Sequence, residues 1–396
     1  MSLHETVSAE RVHIAFFGRR NAGKSSLVNA VTAQALSVVS DVPGTTTDPV
    51  KKAMELLPIG PVLIIDTPGF DDEGALGEKR VAKTREVLAK TDIAVLVVDA
   101  VRGIGDAEKE FLALTKEKGT PTLTVWSKAD LAETRADALC TSAVTGEGID
   151  ALKKALGDLA KQKENPRRIV GDLIEAGDTV VLVTPIDASA PKGRLILPQQ
   201  QTIRDILDAG AIALVTQPEQ LPKTLAALKT PPRMVITDSQ AFGKVAPLVP
   251  DGIPLTSFSI LFARYKGELL TQVRGAAALS ALHDGDRVLI SEGCTHHRQC
   301  GDIGTVKMPA WIESFSGASV EYTFTAGGEF PDDLSPYALV VHCGGCMLNE
   351  AEMRHRVAAA SSAGVPVVNY GVAIAHMHGI LRRSLTLFPD ALAILP

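Results

Sequence analysis

Glycine, lysine and serine in the run G-R-R-N-A-G-K-S, Gly18 to Ser25, have the spacing of a loop that wraps phosphate. Gly18 and Gly23 let the backbone curl so that its N–H groups face an anion, reinforced by the N-terminus of the following helix. Lys24 is placed to neutralise β- and γ-phosphates and the Ser25 hydroxyl to reach Mg²⁺, with Ser26 beside them in the nucleotide-binding set. A second set lies far along the chain, C-T-H at Cys294 to His296 and H-C-G-G-C at His342 to Cys346. Two thiolates two residues apart can grip one metal centre, and Cys294 supplies a third.

Further residues complete the first set. Asp66-Thr67-Pro68-Gly69 ends the apolar run V-L-I-I, where a carboxylate can hold a Mg²⁺ water and the Gly69 N–H can meet a γ-phosphate. Between the two motifs lies D-V-P-G-T-T-T-D, which offers Thr46 as a Mg²⁺ ligand. Thr45 and Thr47 stay open, because three hydroxyls in a row leave the register free. W-S-K-A-D, Trp126 to Asp130, follows another buried run. This run resembles the N-K-x-D guanine motif, which implies that Asp130 accepts both donors of guanine while Lys128 packs over the ring. Adenine has no such donor pair, so a guanine nucleotide is expected. Thr141-Ser142-Ala143 resembles the fifth GTPase motif, which implies a backbone N–H that meets the guanine oxygen. Ser127 stands where asparagine is usual. The expectation is a base loop that has lost its tie to the phosphate loop, with weaker nucleotide binding.

The elements that must position these groups follow from pattern. Val12–Phe17, Val62–Asp66, Ile93–Asp99 and Thr122–Trp126 are near-continuous apolar runs, with helical stretches near 78–90, 106–118 and 149–160 between them. Such strands belong to a parallel sheet covered on both faces. After the polar run Lys161 to Arg168, T-V-V-L-V, A-I-A-L-V and R-M-V-I-T predict a second α/β pattern, with helices over Gln199–Leu207 and Leu221–Leu228. It carries no Cys or His. In the third segment R-V-L-I-S, Y-A-L-V-V and V-P-V-V-N end at Gly293-Cys294, His342-Cys343 and Tyr370-Gly371. If these strands are parallel, their carboxyl ends bring distant cysteines together at the edge where open α/β sheets place ligands. The chain thus divides at 1–165, 169–262 and 263–396.

Composition narrows the partners. The 396 residues are 45% hydrophobic and 22% charged with a net charge of −6, as in ordinary globular domains. No Lys/Arg block suggests nucleic acid, and no apolar run is long enough for a membrane. The N-terminus lacks the pattern of a secretory signal, and five cysteines do not make a disulfide scaffold, so a reducing cytoplasm is expected.

The cysteine set alone admits a Zn²⁺ site of Cys294, His296, Cys343 and Cys346, a redox thiol pair, or unliganded core cysteines. Three cysteines are one short of ordinary all-cysteine cluster ligation and suit a cluster with one exchangeable position. His296 or His342 is nearest for a fourth ligand. A helix beginning near Met347 is expected to lower the thiol pKa. Cys140 reads as a small core residue, and His376 and His378 as a solvated pair.

The nucleotide motifs together resemble translation-factor-type GTPases of the TrmE/Era group. Phe70, not glutamine, follows D-T-P-G. Asn21 with G-T-T-T-D resembles the potassium-activated members, in which this asparagine helps hold K⁺. C-x-H, then 45 residues, then H-C-x-x-C, behind such a domain and a middle domain, resembles the HydF family, GTP-binding maturation scaffolds of FeFe-hydrogenases. The resemblance covers the whole chain. It implies an α/β fold, a P-loop GTPase domain with a parallel sheet followed by two smaller α/β domains. It implies GTP hydrolysis with Lys24, Thr46 and Gly69 at the reaction centre, slow and stimulated by K⁺. It implies a 4Fe–4S cluster on Cys294, Cys343 and Cys346, homodimerisation through the middle domain, and transient carriage of a diiron precursor. Radical-SAM maturases and the apo-hydrogenase are the implied partners. Cys300 lies outside the family motif. The competing reading is a tRNA- or ribosome-directed GTPase with a structural zinc, which the acidic balance and 4% aromatic content disfavour.

Overall fold

The computed structural model describes residues 10–33, 49–70, 75–132, 137–162, 167–186, 195–293 and 302–395. The chain forms two units, Met1–Asn165 and Pro166–Pro396.

In the first unit six strands, β1 (Val12–Phe17), β2 (Val50–Leu56), β3 (Gly60–Asp66), β4 (Ile93–Asp99), β5 (Thr122–Ser127) and β6 (Leu139–Cys140), run in the order β2-β3-β1-β4-β5-β6. Every neighbouring pair is parallel except β2 with β3. Alternation along the apolar strands splits the core in two. Ile14, Phe16, Val62, Ile64, Val95 and Val97 face the helices Lys24–Thr32 and Ile149–Gln162. Ala15, Phe17, Ile65, Leu96 and Val98 face Phe111 of the helix Asp106–Glu117 and Val87 and Leu88 of the helix Ala75–Ala89. Two strands were not apparent in the sequence. β2, V-K-K-A-M-E-L, is a mostly exposed edge whose apolar face of Val50, Met54 and Leu56 is interrupted by Lys52, and β6 has two residues, too short for any period. The parallel register puts the carboxyl ends of β1, β3, β4 and β5 along one edge.

The second unit holds two all-parallel four-stranded sheets. The first is β10-β9-β7-β8, from β7 (Thr179–Val183), β8 (Ile212–Thr216), β9 (Met234–Thr237) and β10 (Leu255–Ser257). The second is β12-β11-β13-β14, from β11 (Arg287–Glu292), β12 (Glu321–Ala326), β13 (Leu339–His342) and β14 (Val367–Asn369). Both sheets share one continuous core, in which Val181, Met234 and Leu255 join Val288, Val341 and Val368. Position 262 lies within the helix Phe258–Tyr265, whose Leu261 and Phe262 are buried in that core. At the edge of the first sheet, Ile212 and Val215 of β8 are 54% and 43% exposed. Among the described residues no helix is long and apolar enough to cross a membrane.

Candidate functional site

The phosphate loop leaves β1 at Gly18, where φ is 152° and a Cβ would collide with the Val97 carbonyl. Lys24 is only 7% exposed, and its Nζ donates to the carbonyls of Gly18 (2.9 Å) and Arg19 (2.7 Å). The ammonium thus lies within the curl of the loop. Ser25 Oγ donates to Asp66 Oδ2 at 2.6 Å, joining the end of β3 to the first turn after the loop. Asp66 Oδ1 is buried with no hydrogen-bond partner among the described residues. An orphaned carboxylate oxygen beside a serine hydroxyl matches the oxygen donor chemistry Mg²⁺ requires. Gly69 packs so tightly on the loop that a Cβ there would lie 2.6 Å from the Arg20 nitrogen, so any side chain would push the two segments apart. Asn21 is exposed in the left-handed region, φ 58°, and Ser26 is half-buried in the first helical turn. Thr46 lies outside the described residues.

The base loop follows β5. Asp130 is exposed. Lys128 takes φ 58°, and its Nζ pairs with Asp99 Oδ2 at 2.7 Å. Asp99 went unread in the sequence, although it closes β4 as Asp66 closes β3. Burial works to raise the Asp99 carboxyl, but the Lys128 ammonium and the Val101 N–H outweigh it and hold the group below the usual carboxylate range. Ser127 corrects an expectation. Its hydroxyl lies 2.5 Å from the Ala22 carbonyl of the phosphate loop and 3.1 Å from that of Val98. The tie assigned to asparagine is kept by a shorter side chain, and the argument for weakened binding loses its premise. In the fifth motif the Ser142 N–H is committed to the Glu147 carbonyl at 3.0 Å. Its hydroxyl accepts from Val144 and Thr145, both at 3.2 Å, so Ser142 shapes the turn.

At the cysteine site the parallel register is as expected, Ser291 beside His342 and His342 beside Asn369. Cys343 Sγ accepts the N–H of Gly293 at 3.0 Å and of Gly345 at 3.4 Å. The C-x-x-C loop therefore sits against the end of β11, one residue before Cys294. Cys294, His296 and Cys300 lie outside the described residues, and among those described no three potential ligands group as a metal site. From the other side the buried Lys266 Nζ donates to the Leu348 carbonyl and steadies the loop.

Two expectations fail here. The helix begins at Glu350, capped by Asn349 Oδ1 accepting from Glu352 N at 3.0 Å, not near Met347. Burial pushes the Cys343 thiol up to about 11 and raises Cys346 as well. Protons leave such thiols readily only when a metal replaces them. His342 is also not placed as a fourth ligand. It is 1% exposed, with Nε2 3.2 Å from Arg356 Nη1 and Nδ1 2.8 Å from the Cys343 carbonyl. Because arginine only donates, Nε2 accepts and Nδ1 donates, so neither nitrogen has a lone pair to offer. Burial first, then the Arg356 charge, pushes its pKa down to about 3.

Arg356, like Asp99, was missed by sequence reasoning. It is 2% exposed and also donates to Ser291 Oγ (3.2 Å), Gly327 O (2.6 Å) and Glu352 Oε1 (2.7 Å). It thereby gathers the ends of β12, β11 and β13 beneath the cysteine loop. Cys140 packs against the first unit's core as expected, whereas His376 is half-buried, bonded to Ser280 and edge-on to Phe315.

Comparison with known proteins decides the family. Residues 169–267 match the hydrogen maturase F dimerization domain, and residues 270–387 match the hydrogen maturase F tetramerization domain. The chain belongs to the hydrogen maturase F family. Ahead of these two domains, residues 13–128 of this hydrogen maturase F chain match a 50S ribosome-binding GTPase domain. The chain is 33% identical over 156 residues to the tRNA modification GTPase MnmE of Nitrosomonas europaea, covering 37% of this chain and 34% of that protein. GTPase Der of Kosmotoga olearia is 34% identical over 127 residues, covering 31% of this chain and 28% of that protein. The match thus spans about a third of these relatives' length. Aquifex aeolicus Era bound to GDP and aluminium fluoride is similar at TM-score 0.35 and 17% identity, covering 60% of this chain and 97% of that chain. The dimerization and tetramerization domains mark hydrogen maturase F chains as self-associating.

Proposed function

We propose that the chain is a GTP-hydrolysing scaffold that binds a 4Fe–4S cluster and assembles or delivers the diiron subcluster of FeFe-hydrogenase. The observation that carries this reading is the C-x-x-C loop bonded to the end of β11, on a chain that also assembles Lys24, Ser25 and Asp66. Ser25 and Asp66 hold Mg²⁺ with Thr46, Asn21 helps hold K⁺, and Gly69 meets the γ-phosphate. Residues 1–165 form the GTPase domain, 169–262 the dimerisation domain and 263–396 the cluster domain. The β8 edge, which no other described strand covers and which exposes Ile212 and Val215, suits pairing with a second copy. Radical-SAM maturases supply the cargo and the apo-hydrogenase receives it, in the cytoplasm.

Cys343 and Cys346 hold the cluster with Cys294, and a bound cluster supplies an iron with one exchangeable position. Gly293 and Gly345 N–H groups orient Cys343 Sγ for this task. In protein purified without oxygen, Cys294→Ser, Cys343→Ser and Cys346→Ser each lose the iron, and Cys300→Ser keeps it. Iron and sulfide analysis with EPR reads the outcome. A colourless parent carrying zinc, or loss of iron in Cys300→Ser, overturns the three-cysteine assignment.

Asp130 reads the base. Asp130→Asn weakens GTP binding by about 2–3 kcal/mol, because a charged acceptor for two donors becomes a mismatch. Xanthine nucleotides then bind better than guanine nucleotides. Equal GTP affinity in parent and variant would remove the guanine assignment.

A further inference from the structure

Asp99 and Lys128 form an ion pair that the motif reading leaves unused. The Asp99 side chain is 9% exposed and each oxygen has a partner, the Val101 N–H on Oδ1 at 2.9 Å and Lys128 Nζ on Oδ2 at 2.7 Å. Lys128 is thus held at both ends. Its backbone is fixed in the left-handed region, φ 58°, and its ammonium is fixed on β4. Between these points the carbon stem runs beside the phosphate loop, for a Cβ at Gly23 would lie 4.0 Å from Lys128 Cε and 3.6 Å from Ser127 Oγ. Ser127, bonded to Ala22, fixes the same strand end from the other side.

A lysine stem ordinarily retains nearly all its rotamers, and ordering it costs about 1.5–2 kcal/mol. Where the ammonium is already anchored, a ligand that lies on the stem meets most of that order in place. We infer that Asp99 is a positioning residue of the base site: by anchoring the Lys128 ammonium, it preorganises the lysine stem as the platform for a purine ring. Asp130 selects the base by its edge, and Asp99 sets the affinity for its face. The inference rests on the proposed guanine-nucleotide site.

Two properties separate this role from general bracing of the fold. Loss of Asp99 weakens GDP and GTP equally, since the platform lies under the base and not at the γ-phosphate. The loss also occurs only while Lys128 is present to be positioned. Asp99→Asn is the informative variant, because it keeps an acceptor for the Val101 N–H and removes only the charge.

The test is a double-mutant cycle on the full chain, with fluorescent GDP and GTP analogues titrated into the parent, Asp99→Asn, Lys128→Met and the double variant. Asp99→Asn is expected to weaken both nucleotides about tenfold, the loss that goes with ordering one long side chain. The KM for GTP rises with it while kcat falls by less than about twofold, a split expected of lost uniform binding. The preference for guanine over xanthine, set by Asp130, stays as in the parent and shows that the pocket is folded. The double variant binds no more weakly than Lys128→Met alone, and Asp99→Glu recovers part of the affinity. Additive losses in the double variant overturn the inference, as does an Asp99→Asn protein that binds like the parent while Lys128→Met does not. A parent that binds no guanine nucleotide overturns the nucleotide site itself, and the inference with it.

Discussion

Lys24→Ala lowers GTP turnover on the order of 10²–10³-fold, the usual consequence of removing one preorganised charge from a developing anion. Lys24 is buried with its ammonium on the carbonyls of Gly18 and Arg19. The variant therefore loses the charge that meets the phosphates and leaves two loop carbonyls without their donor. Phosphate release at saturating GTP measures the effect. The parent, assayed in potassium and then sodium at equal ionic strength, turns over faster in potassium if Asn21 helps hold the ion. Equal rates in the two salts remove that role for Asn21, and undiminished hydrolysis by Lys24→Ala removes the whole site.

Arg356→Met destabilises the second unit by about 3–5 kcal/mol, the cost of breaking a buried pair from one side. The methionine fills much of the space over Phe330, on whose ring the guanidinium rests 5.1 Å from the centroid. It cannot donate. Glu352, 7% exposed, is left as a buried charge, and His342 Nε2, Ser291 Oγ and Gly327 O lose a donor together. Urea denaturation of parent and variant measures the loss. Adding Glu352→Gln to Arg356→Met recovers part of it, because the orphaned charge is gone. A variant within 1 kcal/mol of the parent would show the network to be dispensable.

Legibility in the sequence followed burial and local chemistry. β1, β3, β4 and β5 could be read because strands covered on both faces are apolar at nearly every position. The phosphate loop could be read because its glycines, Lys24 and Ser25 act within one short stretch. β12 was missed because E-Y-T-F-T-A lies at the sheet edge and is half-buried, so it lacks the continuous apolar run of the central strands. Arg356 was missed for a different reason. In the helical run M-R-H-R-V nothing marks it as the arginine that turns inward, since its four partners come from β11, β13, the segment after β12 and its own helix. Ser127 misled in the same way. Its departure from asparagine is visible in the sequence, but only the 2.5 Å approach of Ala22 O shows that a hydroxyl spans the gap. Local motifs can be read from residue order, whereas groups completed by tertiary contact cannot.

The parallel pairing of β11 with β13 also dictates an order of assembly. After Gly293 the chain must leave the sheet, pass through the helix Met308–Ser316 and β12, and cross back before Cys343 arrives beside it. Non-local parallel pairing of this kind is slow to form compared with local contacts. In a chain still unfolded, Cys343 and Cys346 are near neighbours, whereas Gly293 lies 50 residues before Cys343. The Gly293 N–H reaches the Cys343 sulfur only when the sheet has closed, so the polar surroundings of that thiol are a product of folding and not of nearness along the chain.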